Sequence, residues 1–215
     1  MKQINPLPSA FVLAALVLLA CGGDDPIPVV DGEELAKVRE ALLTERFLRR
    51  GIDSAIVHDA FRRVPRAAFL DPKDRDRAWE DRAFGREDGE TVTAPFLSAV
   101  MLQAVDPGPG RRVLECGTRT GWFTALLAAT GAEVVTVDPR GAAVEDARRR
   151  HRALGLTGIT YRVGDPLGTA EGPFDAIVVN GAIRHLPREL YALLSPGGRL
   201  LAPIGEPMEV QSLIR

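Results

Sequence analysis

The second half of the chain alternates short β-rich runs with stretches of helical length, and this rhythm narrows the fold more than any other feature. The runs are RRVLEC, EVVTVD, ITYRVGD, FDAIVVN and GRLLAPIG; residues 120–130, 142–154 and 187–194 between them suit helices. Strands that alternate with helices form a parallel sheet covered on both faces, because each crossover helix packs back across the sheet. Ligands of such α/β sheets bind beyond the carboxyl ends of the strands, near the point where strand order reverses. That rule puts residues 115–121, Asp138, Asp165 and Asn180 along one rim.

The loop after the first run reads LECGTRTGW, residues 114–122. Gly117 and Gly121 permit a tight turn and a close approach of backbone to a ligand at a helix N-terminus. Asp138 ends the second strand, where a carboxylate can accept hydrogen bonds from two ribose hydroxyls. Together these features point to an adenosine-containing ligand. Taken singly, the glycines are ordinary turn residues, and Asp138 before Pro139 is an ordinary turn starter. A dinucleotide loop reads G-x-G-x-x-G, and only Gly117 fits, since Arg119 and Trp122 hold the other two glycine places. The pattern E-x-G-x-x-x-G is nearer the S-adenosylmethionine loop E-x-G-x-G-x-G. The expected fold is therefore a Rossmann-like S-adenosylmethionine-dependent methyltransferase fold. S-adenosylmethionine would be the co-substrate, held by Glu115, Gly117, Thr118, Gly121, Asp138 and Asp165. If the loop needs a positive φ at Arg119, a non-glycine residue there costs roughly 1–2 kcal/mol.

The first half is organised differently. Residues 1–21 run from one lysine through an apolar stretch to Leu-Leu-Ala-Cys, the grammar of a signal peptide of lipoprotein type, with Cys21 as the lipidated residue. Residues 22–32, rich in glycine, aspartate and proline, read as a linker. Leu35, Val38, Leu42, Leu43 and Phe47 recur at amphipathic spacing, which predicts a helix over 33–50. A second helix fits 53–63, capped by Asp53 or Ser54. The segment DPKDRDRAWEDR is mixed in sign and reads as solvated. The domain reading is a helical N-terminal region with a substrate segment over 33–105 and an S-adenosylmethionine-binding α/β domain over 106–215. A net charge of -2 argues against a nucleic-acid partner. His58, His151 and His185 are scattered, so no metal site is expected.

Five stretches then converge. RRGIDSAIVHDAFRRVPRAAFL, AWEDRAFGREDGETVTAPFLSAVM, VLECGTRTGWFTALLA, GPFDAIVVNGA and LLSPGGRLLAPIG together resemble the protein-L-isoaspartate O-methyltransferase family. The first is similar to its G-I and V-P-R-x-x-F signatures. The second aligns without a gap to its A-Y-x-D-x-x-L-P-I-G-x-G-Q-T-I-S-Q-P stretch. The others are similar to its E-I-G-T-G-S-G-Y loop, its P-F-D-A-I-I-V-T-A-A strand and its L-x-P-G-G-R-L-V-x-P-x-G segment. The resemblance implies methyl transfer from S-adenosylmethionine to the carboxylate of isoaspartyl residues in damaged proteins, a repair reaction. Such a carboxylate is already ionised near neutrality, so no general base is required. The family's T-I-S-Q-P segment binds that carboxylate and maps onto Thr91, Val92, Thr93, Ala94 and Pro95, with Thr93 at the catalytic serine position. The implied partners are isoaspartyl proteins or peptides, with membrane contact only through the lipid anchor at Cys21.

The departures from the pattern leave alternatives open. Arg119 replaces a glycine, Ala94 replaces a glutamine, and Phe84, Gly85, Arg86 and Glu87 replace L-P-I-G. The chain stops at VQSLIR, which predicts a truncated C-terminal strand region. A lipid-anchored, catalytically impaired pseudoenzyme of the same fold is one alternative, and a small-molecule S-adenosylmethionine-dependent methyltransferase is another. The location follows the N-terminus: extracytoplasmic and anchored if Cys21 is lipidated, cytoplasmic if the extension is not part of the translated chain. Other residues have plainer expectations: Trp122 and Cys116 as packing, His185 as a surface residue, and the basic run of residues 148–152 as a solvated helix face.

Overall fold

The computed structural model describes residues 30–206 and 212–214. Cys21 and the signal-peptide reading of residues 1–21 lie outside the described residues. The helix expected over 33–50 is present in two parts: α1 (Glu33–Ala41) runs into a π-helical turn over Leu42–Phe47. None of the nine residues of α1 is buried, whereas the wider turn delivers Leu42, Leu43 and Phe47 into the core. The second helix, α2 (Ala55–Arg63), buries Val57, His58, Ala60 and Phe61. Ser54 is its N-cap by backbone position, but neither its side chain nor that of Asp53 caps the helix. The Oε1 atom of Gln103 accepts from the N–H groups of Asp53 and Ser54 at 3.1 and 3.2 Å instead. Those donors are satisfied from another element, which no local pattern announces.

After two 3-10 turns, Arg66–Phe69 and Pro72–Arg77, a small antiparallel pair forms from β1 (Phe84–Gly85) and β2 (Thr91–Val92). The charged segment from Asp71 is not wholly solvated, because Ala78 and Trp79 at its end are buried and Trp79 Nε1 donates to Asp31 at 2.8 Å. Next comes α3 (Pro95–Val105), a helix absent from the sequence reading. Its run PFLSAVMLQAV is apolar almost all round, so it carries no polar stripe to betray a helical period. Pro95 suits its first turn, where the missing N–H would be unpaired in any case.

The α/β portion follows as β3 (Arg112–Cys116), α4 (Trp122–Ala129), β4 (Glu133–Asp138), α5 (Gly141–Ala153), β5 (Ile159–Val163), α6 (Pro166–Thr169), β6 (Phe174–Val179), α7 (Glu189–Ala192), β7 (Leu194–Ile204) and β8 (Ser212–Ile214). The sheet order is β5-β4-β3-β6-β7-β8, parallel throughout except for β8. β8 pairs antiparallel with β7 over Ala202–Ile204, so the edge that the sequence left open carries a short partner there.

Side chains alternate between two cores. Val113, Val134, Ala176, Val178 and Leu201 face one that also takes in Leu43, Phe47, Phe61, Trp79 and Trp122, so the N-terminal helices and the sheet share a single apolar interior. Leu114, Val135, Val137, Ile177 and Val179 face the other, closed by residues such as Leu190 of α7. The order places β4 on one side of β3 and β6 on the other, so the crossover direction reverses at β3 and a crevice opens there at the carboxyl ends.

Candidate active site

The strand β3 ends at Cys116, and the chain turns at once through Gly117, whose φ is +104°. A Cβ on Gly117 would stand 3.1 Å from the carbonyl oxygen of Asn180 at the end of β6, so only glycine fits at this side of the crevice. Arg119 also has a positive φ, +50°. That conformation aims its N–H at Asp138, whose Oδ2 accepts it at 2.9 Å. The guanidinium of Arg119 reaches across the rim, donating to Glu90 Oε2 at 2.9 Å and to the carbonyl of Asn180 at 3.5 Å.

Asp138 is 1% exposed and sits at the end of β4 as expected. Besides Arg119, it accepts from the backbone N–H, Nε and Nη2 of Arg140, at 2.9, 3.0 and 3.0 Å. With the N–H of Arg119, that makes four donors on one buried carboxylate.

Four of the expected donor-site residues have packing or hydrogen-bonding roles within the chain. Glu115 is fully buried beneath the loop, and its carboxylate accepts from Thr124, from Thr136 at 2.8 Å and from Asn180 Nδ2 at 3.1 Å. Burial pushes its pKa up to about 7 against those donors, and the group braces the crevice from below. Thr118 is likewise buried, its hydroxyl 2.7 Å from that of Thr136. Gly121, at φ +79°, is needed for packing: a Cβ there would lie 2.8 Å from Ala147 Cβ and 2.9 Å from His151 Nε2 of α5. Asp165 is exposed and N-caps α6, accepting from Leu167 N–H at 2.9 Å.

The basic run of α5 is not simply solvated. Arg150 and His151 are buried, Arg150 donating to the carbonyl of Ala68 at 3.1 Å. His151 Nε2 faces the Gly121 carbonyl at 2.8 Å and must donate, which leaves Nδ1 to accept from the Tyr161 hydroxyl at 2.7 Å. Burial lowers the His151 pKa to about 4, so this neutral tautomer persists at ordinary pH.

The acceptor segment meets the donor loop. A cavity of about 640 Å³ is lined by Thr91, Thr93, Ala94, Arg119, Asn180 and Gly181 among others. Val92, a core residue, and Pro95, buried at the start of α3, were expected to touch substrate and lie outside that lining. Sequence reasoning missed what holds the segment in place. Arg66 is fully buried, and its guanidinium donates to the carbonyls of Ala78, Arg82 and Thr93 at 2.5, 2.8 and 2.9 Å. Burial lowers its pKa to about 9, which still leaves it charged. The signal was the arginine of the V-P-R stretch, an apolar setting in which a charge needs partners. Trp122 is core packing, donating through Nε1 to Ser98 at 3.0 Å. Cys116 packs against the second core, where burial pushes its thiol up to about 12. His185 is exposed.

Comparison with known proteins agrees with this geometry. The family described as protein-L-isoaspartate(D-aspartate) O-methyltransferase (PCMT) matches residues 37–215. The chain is 36% identical over 200 residues to protein-L-isoaspartate O-methyltransferase 1 of Rhodopseudomonas palustris strain HaA2, covering 92% of this chain and 82% of that one. It is 41% identical over 191 residues to the protein-L-isoaspartate O-methyltransferase of Stenotrophomonas maltophilia strain R551-3, covering 88% and 84%. Among solved structures, a protein-L-isoaspartate O-methyltransferase superposes with a TM-score of 0.68 at 28% identity over 77% of this chain, which spans 55% of that longer one. A beta-aspartate methyltransferase from Plasmodium falciparum, in complex with S-adenosyl-L-homocysteine, superposes with a TM-score of 0.67 at 22% identity, covering 83% and 87%, a likeness of fold.

Proposed function

The chain belongs to the protein-L-isoaspartate(D-aspartate) O-methyltransferase family, and from that membership we propose that it transfers a methyl group from S-adenosylmethionine to the carboxylate of isoaspartyl residues in damaged proteins. One observation carries this reading: the acceptor residues Thr91 and Thr93 and the donor-loop residue Arg119 line the same cavity at the carboxyl ends of the strands. The residues suit the donor. Asp138 would accept from the ribose hydroxyls, and the crevice beside Gly117 would admit backbone-close contact. When bound, the donor supplies a sulfonium methyl: the methyl carbon gains a bond to the acceptor's oxygen, and the electron pair of its bond to sulfur returns to a neutral thioether.

What the chain itself contributes is position. Thr93 lines the cavity and offers a hydroxyl to one oxygen of the acceptor carboxylate, leaving the other to attack. Arg66 holds the carbonyl of Thr93 and so fixes that hydroxyl's backbone. No proton has to leave the nucleophile, because the acceptor carboxylate is already ionised near neutrality.

Calorimetry with S-adenosylhomocysteine, followed by methylation of an isoaspartyl peptide, tests the proposal. Micromolar binding and peptide methylation are expected. Binding without peptide methylation would favour a small-molecule acceptor, and binding only after Arg119→Gly would favour the pseudoenzyme. The lipoprotein-type signal adds a location to the proposal: anchored through Cys21, the protein would act on extracytoplasmic proteins. Loss of membrane association in Cys21→Ser tests that part.

A further inference from the structure

Arg119 brings a fixed positive charge into a crevice proposed to receive a cation, and the structure shows how that charge is met. Glu90 stands immediately before Thr91, and its side chain is 13% exposed. Its Oε2 accepts from Arg119 Nε at 2.9 Å, while its Oε1 is paired with Nη1 of Arg140. Arg140 in turn grips Asp138 through Nε and Nη2. Two carboxylates and two guanidiniums thus alternate along the rim, with Glu90 shared between both arginines. Glu90 also stands where the resembling stretch has glutamine, and Arg119 where the resembling loop has glycine. The two departures touch each other.

We propose that Glu90 is the counterion that makes this arginine-bearing crevice acceptable to a sulfonium, and is therefore a specificity-determining residue for the charge of the donor. Glutamine in its place keeps the size and one acceptor oxygen but leaves Arg119 and Arg140 with Asp138 as the sole carboxylate of the rim network. A cationic ligand then meets a net positive rim, whereas a neutral ligand of nearly the same shape does not. The inference rests on the reading that the crevice binds S-adenosylmethionine.

The donor and its product are a natural pair of probes, because S-adenosylmethionine carries the sulfonium charge and S-adenosylhomocysteine is the neutral thioether. Calorimetry on the full chain measures Kd for each, and their ratio is the readout. In Glu90→Gln the ratio of the S-adenosylmethionine Kd to that of S-adenosylhomocysteine should rise about tenfold, the order expected when one charge is removed from a partly exposed site, and the rise should shrink at high salt. Arg119→Gln with Glu90 intact should move the ratio the opposite way, and the double variant should return it near the starting value. Should Glu90→Gln not fold, as judged by circular dichroism, the Arg119→Gln arm carries the test alone. Equal loss of both ligands in Glu90→Gln, with an unmoved ratio in Arg119→Gln, would overturn the proposal and leave Glu90 a brace. If neither ligand binds the unmodified protein, the donor reading itself fails and takes this inference with it.

Discussion

Arg119 settles into a left-handed conformation at φ +50° because its N–H then reaches Asp138 and its guanidinium reaches Glu90. Those contacts offset a backbone cost of roughly 1–2 kcal/mol. That the loop wants a positive φ was legible from its glycines, while the partner Glu90, 29 residues earlier in the chain, was not. At Gly121 strain and crowding add up, so Gly121→Ala should destabilise by about 2–5 kcal/mol in urea titration. Thr93→Val keeps the shape and removes the hydroxyl. It should lower kcat/KM for an isoaspartyl peptide by about a hundredfold, with the Kd for S-adenosylhomocysteine unchanged within about twofold. Two buried groups pull the pH dependence in opposite directions. His151 is held near 4 against an ordinary 6.5, so its contribution is complete above 6.5 and is lost as pH falls through 4. Glu115 is held near 7 against 4.5, so its contribution is complete below 4.5 and is lost as pH rises through 7. Each shift is worth about 3 kcal/mol in total. Between pH 4.5 and 6.5 the two cancel. Relative to the unmodified chain, Glu115→Gln should show stability rising with pH across that window and His151→Gln should show it falling, as urea midpoints at pH 5 and 6.5 would reveal.

Among the elements, strands and amphipathic helices were legible because half-buried surfaces write their period into the chain. The helix α3 was not, since its outer face carries the exposed Leu97 and the half-buried Val100 rather than a row of polar residues, so no polar stripe marks the helical period. Ends were blurred for a related reason: α2 begins under a cap from Gln103, and α1 changes to a π-turn where Phe47 must enter the core. The hairpin of β1 and β2 is only two residues long on each side, too short to stand by itself. The buried Arg66 ties together the carbonyls of Ala78, Arg82 and Thr93 around it. Arg66→Met strands those carbonyls in the interior and should cost about 3–5 kcal/mol. Hydrogen exchange in the segment around Thr93 should quicken more than in β3 if the guanidinium positions this strand.

At the scale of the molecule, the central strands β4, β3 and β6 are covered by two cores, whereas β5 is an edge and β7 is backed only by the three residues described for β8. Hydrogen exchange should therefore be slowest in β3 and β6, and S-adenosylhomocysteine should slow it further in residues 117–121; a loop unaffected by the ligand would count against the donor site. The sequence by itself determined the class of sheet, the rim on which Gly117, Asp138 and Asn180 would stand, and the family, because period and local turn chemistry are written in neighbouring residues. Only the tertiary structure decided which of the rim residues face the crevice. Glu115 and Thr118 turn under the loop, Val92 turns into the core, Pro95 is buried at the start of α3, and Gly121 is spent on packing against α5. Glu90, Arg119, Arg140 and Asp138 meet across strand ends that are far apart in the chain. Charge pairing of this kind depends on distances through space, which spacing along a sequence does not encode.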